Sequence, residues 1–144
     1  GLLASTIAEG AAYVGTGSTH QKTASPAADE QGHIAAIDLS DEPDAAVIDV
    51  SFISLIKVIP AVVSLIRSDG DIVALIKPQF ELSSAEVGSG GIVRDAAKHE
   101  KAVNRITAFA EQERLAVKGV IEAPAAGPKK NREFFIYLVK KSGG

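Results

Sequence analysis

Hydrophobic positions follow no sustained period before residue 45 and a clear one after it. Residues 1–14, GLLASTIAEGAAYV, predict the end of a helix running through Gly10 into a short strand. Residues 15–44 are mostly small and polar, apart from the short apolar run HIAAI at 33–37. From there AAVIDV (45–50) is an apolar run closing on an acid, the signature of a buried strand. Ser54 precedes Leu55, Val58, Ile59, Val62, Leu65 and Ile66, whose spacing is helical. Pro60 should kink or reset that helix, and the turn SDGD (68–71) ends it. Residues 72–76 predict the next strand, which stops on Lys77. A Gly/Ser loop, ELSSAEVGSGGIVRD (81–95), leads to a second helix over about 96–113, capped by Asp95, with Val103, Ile106, Phe109 and Ala110 on one face. Residues 115–121 and 133–139 predict two more strands. The turn APAAGPKKN (123–131) leaves no room for a helix between them, so they should be antiparallel neighbours.

The resulting order, β-α-β-α-β-β, implies an α/β fold whose sheet is mainly parallel, with helices on both faces and the last strand reversed. In such a sheet ligands bind beyond the carboxyl ends of the strands. Asp49 and Lys77 each lie at such an end, and the reversed last strand brings its beginning, at Glu133, to the same rim. Two carboxylates can hold an ammonium in place, and a lysine so held can acidify a substrate hydroxyl or accept its proton. The alternative reading of the same trio is a surface salt-bridge cluster.

Composition narrows the field. At 144 residues, 46% hydrophobic and 23% charged, the chain is the size of one soluble domain. The longest apolar candidate for a membrane span, LIKVIPAVVSLI (55–66), is interrupted by Lys57 and Pro60, and no signal-peptide pattern is visible; the expected compartment is the cytoplasm. Without cysteine there is no disulfide framework and no thiolate metal site, and the three histidines are scattered, so no metal is expected. The absence of Met and Trp and the start at Gly1 suggest a fragment. The net charge of −3 is uneven: residues 1–72 carry 3 Lys/Arg against 10 Asp/Glu (−7), and residues 73–144 carry 12 against 8 (+4). A polyanion lying over the half that holds Lys77 is compatible with that split.

Four motifs in order, VIDVSFISL (47–55), VALIKPQFE (73–81), EVGSGGIVRD (86–95) and GPKKNREFF (127–135), resemble the TlyA family. That family has long been labelled hemolysins and is related to the FtsJ/RrmJ-type ribosomal RNA 2′-O-methyltransferases. The resemblance spans about residues 45–140. It implies a Rossmann-like class I methyltransferase sheet, S-adenosylmethionine as cofactor and ribosomal RNA or a ribosomal subunit as partner. Relatives use a Lys-Asp-Lys-Glu tetrad around the ribose 2′-hydroxyl. Its last three members correspond to Asp49, Lys77 and Glu133, and its first lysine would precede this chain. By the same analogy Asp49, Val50 and Ser51 line the cofactor pocket, with Gly15 and Gly17 approaching it. Arg94, Lys129, Lys130 and Arg132 are the expected RNA contacts.

The family's glycine-rich cofactor loop, of the form DVGASTGGF, is not in this sequence, nor is the S4-like RNA-binding module that normally opens such proteins. The chain is therefore expected to be one methyltransferase domain, incomplete at its N-terminus. Residues 13–22 also lack the acid and the aromatic that the family carries there. The loop at 88–91 lacks a Walker lysine and reads as a substrate-side loop. Against the enzyme stand a non-catalytic RNA-binding module that kept the scaffold and a membrane-active hemolysin. A dehydrogenase-type fold is disfavoured by the closing hairpin and the lack of a GxGxxG opening.

Overall fold

The computed structural model describes residues 11–15, 43–88, 90–124, 127 and 130–141. The predicted helix end running through Gly10, the apolar run at 33–37, Gly17 and Lys129 lie outside these residues. Five strands, β1 (Ala11–Gly15), β2 (Ala45–Asp49), β3 (Asp71–Ile76), β4 (Leu115–Glu122) and β5 (Phe134–Lys140), form one sheet in the order β1-β2-β3-β5-β4. Helices α1 (Leu55–Leu65) and α4 (Ala96–Gln112) connect β2 to β3 and β3 to β4, and two single-turn helices, α2 (Pro78–Glu81) and α3 (Ser84–Val87), fill the loop after β3.

The pattern of strands and long helices from residue 45 onward is as predicted, with the last strand reversed. Two features differ. The sheet is mixed rather than mainly parallel: β2 and β3 are parallel, while β1 with β2, β3 with β5 and β4 with β5 are antiparallel. Inserting one reversed strand between β3 and β4 converts two pairings at once, and β1 adds a third. Nor do the described helices cover both faces. Both crossovers step across the sheet in the same direction, and right-handed connections then put α1 and α4 on the same side. Val58, Ile59 and Val62 of α1 and Ile106 and Ala110 of α4 join Ile48, Ile72, Ala74, Ile76, Ile136 and Leu138 of the strands in one buried cluster. The other face of the sheet carries Val47 and Tyr137, both exposed, and the half-buried Val73, Leu75 and Phe135.

Local signals explain the element ends. Helix α1 runs unbroken through Pro60, with Ser54 as N-cap accepting from Ile56 N at 3.1 Å. Lys140 Nζ closes the far end by donating to Val63 O and Ile66 O. The next turn needs Gly70, because a Cβ there would sit 2.9 Å from Arg67 O and 3.2 Å from Asp44 O. Asp95 caps α4 as expected, accepting from Ala97 N. The two short helices were legible in principle: Pro78 stands at the first helical position of α2, and Ser83 with Glu86 forms a capping box at α3.

Candidate active site

Pleating sets which way the rim residues face. Residues 72, 74 and 76 of β3 point into the helix-covered core, so 73, 75 and 77 belong to the open face. Ile48 pairs with Ala74, which sets Asp49 beside Leu75, and Ile76 pairs with Phe134, so Lys77 and Glu133 are the next positions beyond that pair. Asp49, Lys77 and Glu133 thus share one end of the open face, where the sequence places them.

Lys77 Nζ lies 2.7 Å from Asp49 Oδ1 and donates to Ser51 Oγ at 2.9 Å. The lysine side chain is 12% exposed and the aspartate 56%, so the cation is sheltered while the carboxylate meets solvent. An ammonium has three N–H donors. Two have these partners, and the third has none among the described residues. Glu133 is brought close but is held differently: its Oε2 accepts from Gln79 Nε2 at 3.2 Å rather than from the lysine.

Behind Lys77 the short α2 is anchored by Glu81, a buried carboxylate at 5% exposure. Ser54 Oγ donates to its Oε1, and Leu55 N donates to its Oε2 at 2.9 Å. An anion at the N-terminus of α1 satisfies an orphan helix donor and the helix dipole together. Burial nonetheless pushes the Glu81 carboxyl above the ordinary range, against the opposing pull of Leu55 N–H, the Ser54 hydroxyl and Arg105.

The predicted basic residues divide. Arg94 and Lys130 are exposed. Asn131 draws their surroundings together by accepting from Val93 N at 2.8 Å and donating to Gly91 O at 2.9 Å. Arg132 is instead engaged with Glu122, through Nε at 3.1 Å and through a second guanidinium nitrogen, and the carboxylate raises its pKa. Gly15 pairs with Ala45, at the end of β2 away from Asp49, so it is not among the residues brought together; Ala11 is the β1 residue opposite Asp49. Val50 is buried and offers the rim only its backbone, whereas Ser51 is partly exposed.

One feature of the site has no periodic signal in the sequence. Phe52 sits three residues after Asp49 with a left-handed backbone, φ 62°, and is 67% exposed. Its ring lies 4.9 Å from that of Phe80 at an interplanar angle of 51°. Holding a phenylalanine at positive φ costs about 1–3 kcal/mol, and little burial is gained in return. The two rings line a groove of about 540 Å³ together with Ser54, Lys57, Gln79 and Gly88. A repeated Phe at the ends of SF and QF was the available hint, visible only once both motifs are placed at one rim. Among the described residues no cluster of three or more His, Cys, Asp or Glu is arranged to hold a metal, and no helix is long and apolar enough to cross a membrane.

Comparison with known proteins places this geometry among relatives. The FtsJ-like methyltransferase family model matches residues 12–140. The 16S/23S rRNA (cytidine-2′-O)-methyltransferase TlyA of Mycobacterium tuberculosis is 41% identical over 95 residues, 66% of this chain and 35% of that protein. Hemolysin A of Brachyspira hyodysenteriae is 36% identical over 98 residues, covering 67% of this chain and 40% of its own. The crystal structure of a Lactococcus lactis protein described as a hemolysin superposes with a TM-score of 0.71 at 34% identity, covering 78% of this chain and 54% of that one. The chain therefore spans well under two thirds of the length of these relatives.

Proposed function

The chain belongs to the FtsJ-like methyltransferase family, and from that premise we propose that residues 12–140 are the catalytic part of an S-adenosylmethionine-dependent enzyme that methylates a ribose 2′-hydroxyl of ribosomal RNA in the cytoplasm. The observation that carries the reading is Lys77, a sheltered ammonium at the rim of the open face with one donor unpaired among the described residues.

When bound, S-adenosylmethionine supplies an electrophilic methyl group. The residues at the carboxyl end of β2 fit such a guest: an exposed carboxylate at Asp49, the backbone of Val50 and the hydroxyl of Ser51 would hold it beside an open apolar sheet face. Lys77 directs its remaining N–H at the ribose 2′-oxygen and stabilises the negative charge that develops there as the hydroxyl proton departs. Asp49 and Ser51 fix the ammonium, which spares the reorganisation a free lysine would need. Glu133, at the same rim and held by Gln79, would accept that proton. Exposed Arg94 and Lys130, beside the Asn131 latch, take up backbone phosphates.

The groove at Phe52 and Phe80 is where the target base would lie, because bases drawn out of an RNA strand stack on aromatic rings. Phe52→Gly tests this with two readouts of opposite sign. Glycine adopts positive φ freely and little buried surface is lost, so thermal stability should hold or rise. The KM for RNA should rise roughly tenfold or more, the range expected for one stacking contact. A variant that unfolds earlier and binds RNA normally would assign Phe52 to packing.

The function itself is tested by incubating the full-length gene product with methyl-labelled S-adenosylmethionine and intact ribosomal subunits. Label in an alkali-resistant dinucleotide is the expected result. Label confined to a base, or none, would reject ribose methylation.

A further inference from the structure

Gln79 stands two residues after Lys77 in the first turn of α2, and its side chain reaches across 54 residues of sequence to Glu133. The orientation of its amide is dictated by that partner. Nε2 must face the carboxylate, since the alternative would set the carbonyl oxygen against negative charge. The consequence is visible at the other end of the amide, where Oε1 is buried and has no hydrogen-bond partner among the described residues. A buried acceptor left unpaired is destabilising by roughly 1–3 kcal/mol, and folded proteins hold few of them. The amide is thus committed to Glu133 at the expense of its own hydrogen bonding. The cation beside it makes no such link: Lys77 is taken up by Asp49 and Ser51.

We propose that Gln79 is a positioning residue of the transfer reaction, holding the Glu133 carboxylate in the orientation that meets the substrate hydroxyl. This rests on the methyltransferase reading above. The geometry divides the work at the rim: the Asp49 and Ser51 side chains orient the lysine, and Gln79 orients the remaining carboxylate. The two arms start from the ends of β2 and β3, so a shift of α2 would move Lys77 and Gln79 together while leaving Glu133, just before β5, behind.

A double-mutant cycle on the full-length protein separates positioning from packing. Gln79→Leu keeps the volume, removes the donor and removes the unpaired acceptor, so thermal stability should hold or rise. Its kcat should fall roughly tenfold with the Kd for S-adenosylmethionine and the KM for RNA unchanged. Gln79→His, which retains an N–H, should recover part of the loss. In a Glu133→Ala background, Gln79→Leu should produce no further decrease, because Gln79 acts only through the carboxylate. Losses that multiply in the double variant, or a Gln79→Leu protein with wild-type kcat, would overturn the assignment. A wild-type protein that transfers no methyl group to RNA would remove the methyltransferase reading and this proposal with it, an outcome distinct from active protein with independent losses.

Discussion

Lys77→Ala in the full-length protein is expected to lower methyl transfer about a thousandfold, within the range spanned by removing a group that handles a proton or its charge in a transition state. The protein should stay folded. Lys77 lies just past the last residue of β3, outside the hydrophobic core cluster. The partner it abandons, Asp49, is already 56% exposed and can be hydrated in its place. The rival reading, a surface ion pair, predicts something else, since such pairs contribute about 0–1 kcal/mol and no catalysis. Lys77→Arg sharpens the distinction. It restores a cation to Asp49, but a planar fork cannot place one donor where the lysine's third N–H points. Single-turnover label incorporation at saturating cofactor, with a melting curve on each variant, decides the matter. Activity above a tenth of wild type in Lys77→Ala, with the fold intact, would take the lysine out of the chemistry.

How far that site could be read from sequence depends on what kind of signal each residue leaves. Asp49 and Lys77 announce themselves because each interrupts the end of an apolar run, and Glu133 follows from the hairpin that forces β5 to run backwards. The motif order adds the family. Helix sidedness was missed because amphipathic spacing tells which face of a helix is buried and not which face of the sheet receives it; that depends on the strand order, which no local pattern encodes. Gln79 and Phe52 were missed for another reason. A glutamine beside a lysine and a phenylalanine after a serine look like ordinary loop chemistry, and their meaning comes from contacts with residues 54 and 28 positions away. Arg132 leaves a different kind of signal: its charge suggests RNA, and the structure adds a partner, Glu122, that no local pattern announces.

Glu81 carries the second large prediction, and it concerns the support beneath the site. A carboxylate in the PQFE turn would ordinarily be taken for a solvated charge, yet this one is buried against the N-terminus of α1. Glu81→Ala removes the acceptor of Leu55 N–H and one partner of Ser54, and leaves a void between α1 and α2. A loss of about 2–3 kcal/mol is expected, which for a domain of this size lowers Tm by roughly 5–10 °C. Glu81→Gln should lose far less, because its carbonyl can accept from Leu55 N–H and its NH2 can donate to the Ser54 oxygen, whose hydroxyl rotates. The pair of variants also isolates the effect of charge. Burial raises the Glu81 pKa above its ordinary 4.5, so the folded state binds the proton more tightly than the unfolded chain. Its contribution is then fully present below pH 4.5 and is lost as pH rises through the raised value. The stability of wild type relative to Glu81→Gln should therefore fall with increasing pH across that window and level off above it, which denaturant midpoints at a series of pH values would reveal. A relative stability that climbed with pH instead would mean that the helix N-terminus and the Ser54 hydroxyl outweigh burial, and that the carboxylate is held ionised beneath the lysine.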